Sequence, residues 1–201
     1  MNPAGAIADR AGEMNRRPLL IVVSGPPAAG KTTIAIDIGT RLGIPVFSKD
    51  LIKESLHDSL GWSDLEQSRK FGLASIRLLY KMLDTQLASG HSVIAEMNFY
   101  TQYDPPRLLE MATRLSSRLI QVHCYAESDI LLTRYKERAN TGDRHPAHVD
   151  SENVEDLFEK LADGAWAPLD LNAPLIQIDT SDFAAVQVPD LVMRLDELIN
   201  L

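Results

Sequence analysis

The chain has 201 residues, 45% of them hydrophobic and 24% charged, an ordinary globular balance at a length that suits one domain better than two. Its 20 Lys and Arg stand against 28 Asp and Glu, and the net charge of −8 disfavours a protein that mainly holds nucleic acid, while leaving room for a local basic patch. A lone cysteine, Cys124, excludes an internal disulfide framework; set in the apolar run RLIQVHCYA, it reads as the buried thiol of a reducing, cytoplasmic protein.

Residues 1–17, MNPAGAIADRAGEMNRR, mix small and charged residues without sustained periodicity and read as a flexible tail. No apolar stretch approaches the roughly 18 residues of a membrane span. The run after Arg16-Arg17 is too short for the apolar part of an export signal. From Pro18 onward short apolar runs alternate with helical patterns, with no internal repeat and no low-complexity segment, so 18–201 reads as one domain.

The first strand candidate is LLIVVS, residues 19–24, nearly continuous in apolar side chains, as strands covered on both faces are. It leads into Gly25-Pro26-Pro27-Ala28-Ala29-Gly30-Lys31-Thr32, which fits G-x-x-x-x-G-K-[ST], with Thr33 and a helical pattern behind it. Backbone N–H groups of such a loop converge on phosphate oxygens, and the helix that follows turns its positive end toward them. Glycine is needed where a Cβ would obstruct that approach. Lys31 can reach the β- and γ-phosphates, and the Thr32 hydroxyl can ligate Mg²⁺. The implied ligand is ATP, or GTP, with Mg²⁺.

Residues 45–48, PVFS, form a second short strand, with Asp50 at its carboxyl edge just before a helix. Ligands of open α/β sheets gather at such edges. A carboxylate there can accept or orient the proton of an attacking hydroxyl, or it can cap the helix. Ser63 and Glu66 make a possible capping box for a helix whose Ile76, Leu79, Leu83 and Leu87 share one face, ending near Gly90. Residues 92–97, SVIAEM, read as the third strand. Glu96 and Asn98 follow at its carboxyl end, where Glu96 can order metal-bound water or hold a substrate hydroxyl and Asn98 can bond substrate. Asp104 and Pro105 open the next helix as cap and first position.

The fourth strand spans residues 119–125, LIQVHCY, and the helix after it carries Arg134 and Arg138 four apart, on one face. Arg144, His145 and His148 follow in a Gly/Pro-marked loop. Guanidiniums suit phosphate because they offer paired donors and stay charged, so these arginines can form a lid that closes over a triphosphate and excludes water. The alternative is a solvated helix face with ion pairs to Glu137. With no cysteine or third histidine nearby, His145 and His148 make no complete zinc site. The fifth strand candidate is residues 174–179, PLIQID; Asp179 to Ser181 beyond it either touch a nucleotide base or form polar turns. Residues 189–201 close the chain as a helix.

Equipment for switching or motion is missing: there is no Asn-Lys-x-Asp signature, since NTGD at 140–143 lacks the lysine, and no strand ends in a run of apolar residues followed by Asp. A compact P-loop chain without these parts is most often a phosphotransferase.

The combination SGPPAAGKTT, SKD after the second strand, SVIAEMNF, and RYKER with DRHPAH resembles the P-loop kinase group of zeta-toxin-like kinases, chloramphenicol phosphotransferase and many bacterial predicted kinases. The resemblance spans most of residues 19–150. It implies an α/β P-loop three-layer sandwich with a five-stranded parallel sheet and a helical lid at about 134–150. It also implies ATP-Mg²⁺ as donor and a hydroxyl of a small molecule, metabolite or antibiotic, as acceptor. The catalytic carboxylate falls on Asp50 and the phosphate clamps on Arg138 and Arg144, beside Lys31. Relatives often carry Pro-Gly-His where this chain has Pro146-Ala147-His148, so the lid turn is expected to differ. Two rivals remain: a kinase of polynucleotide or RNA ends, and a non-catalytic ATP-binding regulator.

Overall fold

A computed structural model describes residues 17–61, 64–141, 145–148 and 154–200. Five strands, β1 (Leu19–Ser24), β2 (Val46–Ser48), β3 (Val93–Glu96), β4 (Arg118–Tyr125) and β5 (Leu175–Asp179), form one sheet in the order β2-β3-β1-β4-β5. Every pairing is parallel. The helices are α1 (Lys31–Leu42), α2 (Lys49–Leu60), α3 (Leu65–Ala88), α4 (Asp104–Arg114), α5 (Ser128–Thr141), α6 (Val154–Ala162) and α7 (Val188–Ile199).

Alternation along β1 divides the core in two. Leu19, Ile21 and Val23 face Ile34 and Ile38 of α1 and Leu191 and Leu195 of α7. Leu20 and Val22 face Leu79, Leu83 and Leu87 of α3 and Leu108 and Met111 of α4. All six residues of β1 are buried, which is why its sequence shows no polar alternation. The result is a three-layer α/β sandwich with all strand carboxyl ends on one edge. There Val23 lies beside Glu96, Ser24 beside His123 and Ser48 beside Glu96.

All five expected strands form, within one residue at each end. Helix starts differ more. α3 begins at Leu65, where Asp64, not Ser63, is the cap, accepting from Gln67 N at 2.8 Å; Ser63 lies outside the described residues. Asp104 is not a cap either. It sits inside the first turn of α4, buried, with one carboxylate oxygen accepting from Tyr80 Oη and the other from Tyr100 N, each at 2.7 Å. Its short side chain folds back to close the loop after β3 rather than the helix end.

The tail at 1–17 lies outside the described residues except for Arg17, whose Nε donates to Ser116 O. Cys124 is fully buried, and burial pushes its thiol up to about 12. α6 was not legible in advance. Among the described residues no helix is long and apolar enough to cross a membrane.

Candidate active site

The cradle joins β1 to α1. Gly25 (φ +135°) and Gly30 (φ +71°) take conformations that favour glycine. A Cβ on Gly25 would stand 2.0 Å from the Cys124 carbonyl oxygen, and one on Gly30 2.3 Å from the Phe183 ring. Glycine is therefore demanded by β4 and by the loop after β5, before any phosphate approaches. Ala28 also has positive φ, +66°, at a cost of roughly 1 kcal/mol that ligand loops commonly carry. Gly30 caps α1 without a side-chain bond, and the first turn holds no acid, which leaves its N–H groups and the helix dipole to an anion.

Lys31 is buried, and its Nζ donates to Pro26 O at 2.6 Å, inside its own loop. Burial holds the ammonium below the usual lysine range, against the pull of Glu96, Cys124 and Asp50. Thr32 is half-buried and Thr33 exposed. Glu96 ends β3 at 3% exposure and accepts from Ser48 Oγ at 2.6 Å. Burial raises its carboxyl above the ordinary range, with Lys31, Ser48 and Thr32 opposing. Oxygens from Thr32, Glu96 and Asp50 thus gather beside one lysine, a hard-donor set of the kind Mg²⁺ takes next to phosphates.

Asp50 sits in the first turn of α2; its cap is Ser48, so Asp50 does not serve as one. Its Oδ1 pairs with Lys49 Nζ at 2.9 Å. A cavity of about 280 Å³ is lined by Thr32, Asp50 and Arg138, with Glu54, His145 and His148 opposite. Three residues from distant parts of the sequence therefore share one space. Arg144 lies outside the described residues.

Arg134 goes elsewhere. Its guanidinium donates to Thr180 O and Ser181 O at 2.8 and 2.9 Å, tying α5 to the loop after β5. In that loop Asp179 accepts from Ser181 N, the polar turn that sequence left as one alternative. The residue of this loop that reaches the cradle is Phe183, which sequence reasoning passed over; an aromatic a few residues past the last strand was the available signal.

The lid turn at 145–148 rests on α2 and α3. His148 Nε2 meets Glu54 Oε1 at 2.8 Å, His145 Nε2 meets Asp58 Oδ1 at 3.0 Å, and Ser68 Oγ donates to Ala147 O. Ala147 is buried and does not take a positive φ, so this turn forms without glycine. The expectation that no third histidine lies nearby is corrected here. His57 of α2 stands edge-on to His145 with ring centroids 5.0 Å apart, and His57, Asp58 and His145 hold their ligand atoms within 4.8 Å of one another. Sequence could not show this because 87 positions separate Asp58 from His145.

Glu96 and Asn98 face different neighbours. Glu96 is turned to Ser48 and Lys31, whereas Asn98 lines a larger cavity of about 640 Å³ with Met97, Tyr100 and Lys49. Lys49, which lines the larger cavity, pairs with Asp50, which lines the smaller one, at the start of α2.

The sequence profile of the AAA domain family matches residues 20–162, from β1 through α6. The chain belongs to the AAA domain family. A candidate kinase of Chloroflexus aurantiacus j-10-fl, known from its crystal structure, is 36% identical to this AAA domain chain. That likeness covers 92% of this chain and 98% of that one, at a TM-score of 0.80. The APS kinase of Mycobacterium tuberculosis, solved with AMPPNP and APS, shares the fold at 16% identity and a TM-score of 0.55, over 92% of this chain and 99% of that one. An uncharacterized protein of Mycobacterium tuberculosis strain H37Rv is 28% identical over 131 residues, 60% of this chain; the chain spans about a quarter of that relative's length, 26%. The five-stranded parallel sheet with flanking helices is the fold of P-loop kinases.

Proposed function

We propose that the chain is an ATP-dependent phosphotransferase that moves the γ-phosphoryl group to a hydroxyl of a small molecule. The observation that carries this reading is the shared cavity: Thr32, Asp50 and Arg138 line one space above buried Lys31 and Glu96. A carboxylate bordering that space supports the reading, since it can take a proton from an alcohol that enters there.

In this reading Lys31 and the cradle from Gly25 to Thr33 hold the phosphates, with N–H groups from all but Pro26 and Pro27. Thr32 would ligate Mg²⁺, with Glu96 holding water beside it. When bound, the ion neutralises charge on the transferring group. Asp50 takes the hydroxyl proton as the oxygen–phosphorus bond forms and the bond to the β-phosphate bridge oxygen breaks, releasing ADP. Arg138, with Arg144 of the lid, stabilises charge on the equatorial oxygens and keeps water out. Arg134 and Phe183 hold the base-side loop. Residues 18–201 act as one kinase domain of the zeta-toxin and chloramphenicol-phosphotransferase type, working in the cytoplasm, with GTP as the other nucleotide that the cradle admits.

The test is a metabolite and antibiotic library incubated with labelled ATP and read by mass spectrometry. An alcohol that gains one phosphate, and gains none with Lys31→Ala, is the expected result. ADP release without any phosphorylated alcohol would leave a water-using ATPase, and nucleotide binding without turnover would leave a regulator.

A further inference from the structure

The larger cavity carries a charge pattern that the chain as a whole does not. The protein is acidic, at −8, yet the cavity walls bring Lys49, Arg69 and Arg107 to one space of about 640 Å³. The acid among these walls is Asp104, and both its oxygens are spent on Tyr80 and Tyr100. Among the described residues neither Arg69 nor Arg107 pairs with a carboxylate. Arg107 is instead held over the Tyr80 ring, 3.6 Å from its centroid. A positive hollow in a negative protein concentrates anions of matching size, and 640 Å³ lies in the range of small-ligand sites.

The rest of the lining is apolar. Leu73, Ile76, Met97, Tyr100 and Tyr103 line it, with Leu73 63% and Tyr103 67% exposed. Two large side chains of one cavity lining left in water are surface that a ligand body would cover. Asn98 adds one uncharged amide. Lys49 of this lining pairs with Asp50, the carboxylate that borders the 280 Å³ cavity.

We propose that this cavity binds the phosphate acceptor, and that the acceptor is an anionic hydroxyl compound: a carboxylate or phosphate group held by Arg69 and Arg107, an apolar or ring body between Leu73, Ile76 and Tyr103, and a hydroxyl presented at Asp50. The proposal rests on the phosphotransferase reading above and narrows it to one substrate class. Its step has the same balance: the hydroxyl oxygen bonds to phosphorus, its proton passes to Asp50, and ADP departs. Cationic acceptors such as aminoglycosides are disfavoured, because Arg69 and Arg107 would repel them.

The test separates binding from transfer. Without nucleotide, calorimetric titration of the full chain uses hydroxy-carboxylates, hydroxyl-bearing phosphate monoesters, and the neutral amides of the same carboxylates. The expected result is that at least one anion binds tenfold or more tighter than its amide. Arg69→Gln and Arg107→Gln should each weaken that anion at least fivefold, with Arg69→Lys recovering part of the loss. Carboxylate and phosphate arms tell which anion the arginines take. Arg69 is exposed, so its variant folds even if loss of the Tyr80 contact harms Arg107→Gln. Equal binding of acid and amide, anion binding unchanged in Arg69→Gln, or no binding by any member overturns the proposal. Adding ATP then separates the two readings. Transfer to neutral alcohols in preference to anions sinks the substrate class and leaves the kinase standing. Arginine-dependent anion binding without any transfer sinks the kinase assignment, and with it the acceptor role.

Discussion

At the phosphate end of the site, consecutive residues from Gly25 to Thr32 supply the whole cradle, and their main chain sets its shape. At the cavity beyond Asp50 the walls come from α2, α3, α4 and the segment after β3, and side chains make the distinctions. The first region needs particular backbone angles, and only a few residue types adopt them. The second needs a volume and a charge, which many sequences could provide. A donor site of the first kind can stay fixed while an acceptor site of the second kind changes its ligand.

The comparison can be broken most forcefully at the junction. Asp50→Asn should leave nucleotide affinity within about twofold while lowering turnover of the true acceptor by ~10²-fold or more, about 3 kcal/mol of barrier. Full turnover by that variant, in a steady-state assay, would remove Asp50 from the chemistry.

A second measure concerns the wall beneath the cradle, where His123 is buried against Ser24, with Nδ1 3.2 Å from Oγ. Burial, and to a lesser degree Lys31, pushes its imidazole down to about 4 from an ordinary 6.5. A depressed histidine contributes stability that is whole above the unfolded value and is lost as pH falls from 6.5 toward 4. By linkage the loss between pH 8 and pH 5 is about 2 kcal/mol. His123→Gln should remove that much of the pH dependence of urea unfolding. Matching slopes for the two proteins would show that His123 titrates normally.

On the acceptor side Tyr80→Phe should cost about 1.5 kcal/mol in the same unfolding assay, since buried Asp104 loses one charged hydrogen bond. Acceptor KM should change little, because the phenylalanine ring still lies under Arg107. The smallest effect is expected at the cradle itself. Ala28→Gly relieves positive-φ strain but adds freedom to the unfolded chain, and the two cancel to within about 0.5 kcal/mol. A larger thermal shift in either direction would mean that the loop is not set by backbone angle alone.

Much of this protein was written in its sequence. Apolar runs of four to seven residues marked the strands, most plainly β1 and β3, which are buried along their whole length and show little polar relief. The motif at 25–32 gave the cradle, because left-handed backbone at two positions leaves little choice of residue. What tertiary structure decided lies in contacts between distant segments. Glu96 became a buried partner of Ser48, 48 positions away; Arg134 went to the loop after β5; His57 came to stand by His145; and three cations met in one cavity. A residue's local pattern fixes the direction of its own backbone, but where a side chain ends depends on how whole layers pack. The larger cavity is made entirely of such endings, which is why the sequence pointed to a nucleotide and to no second ligand.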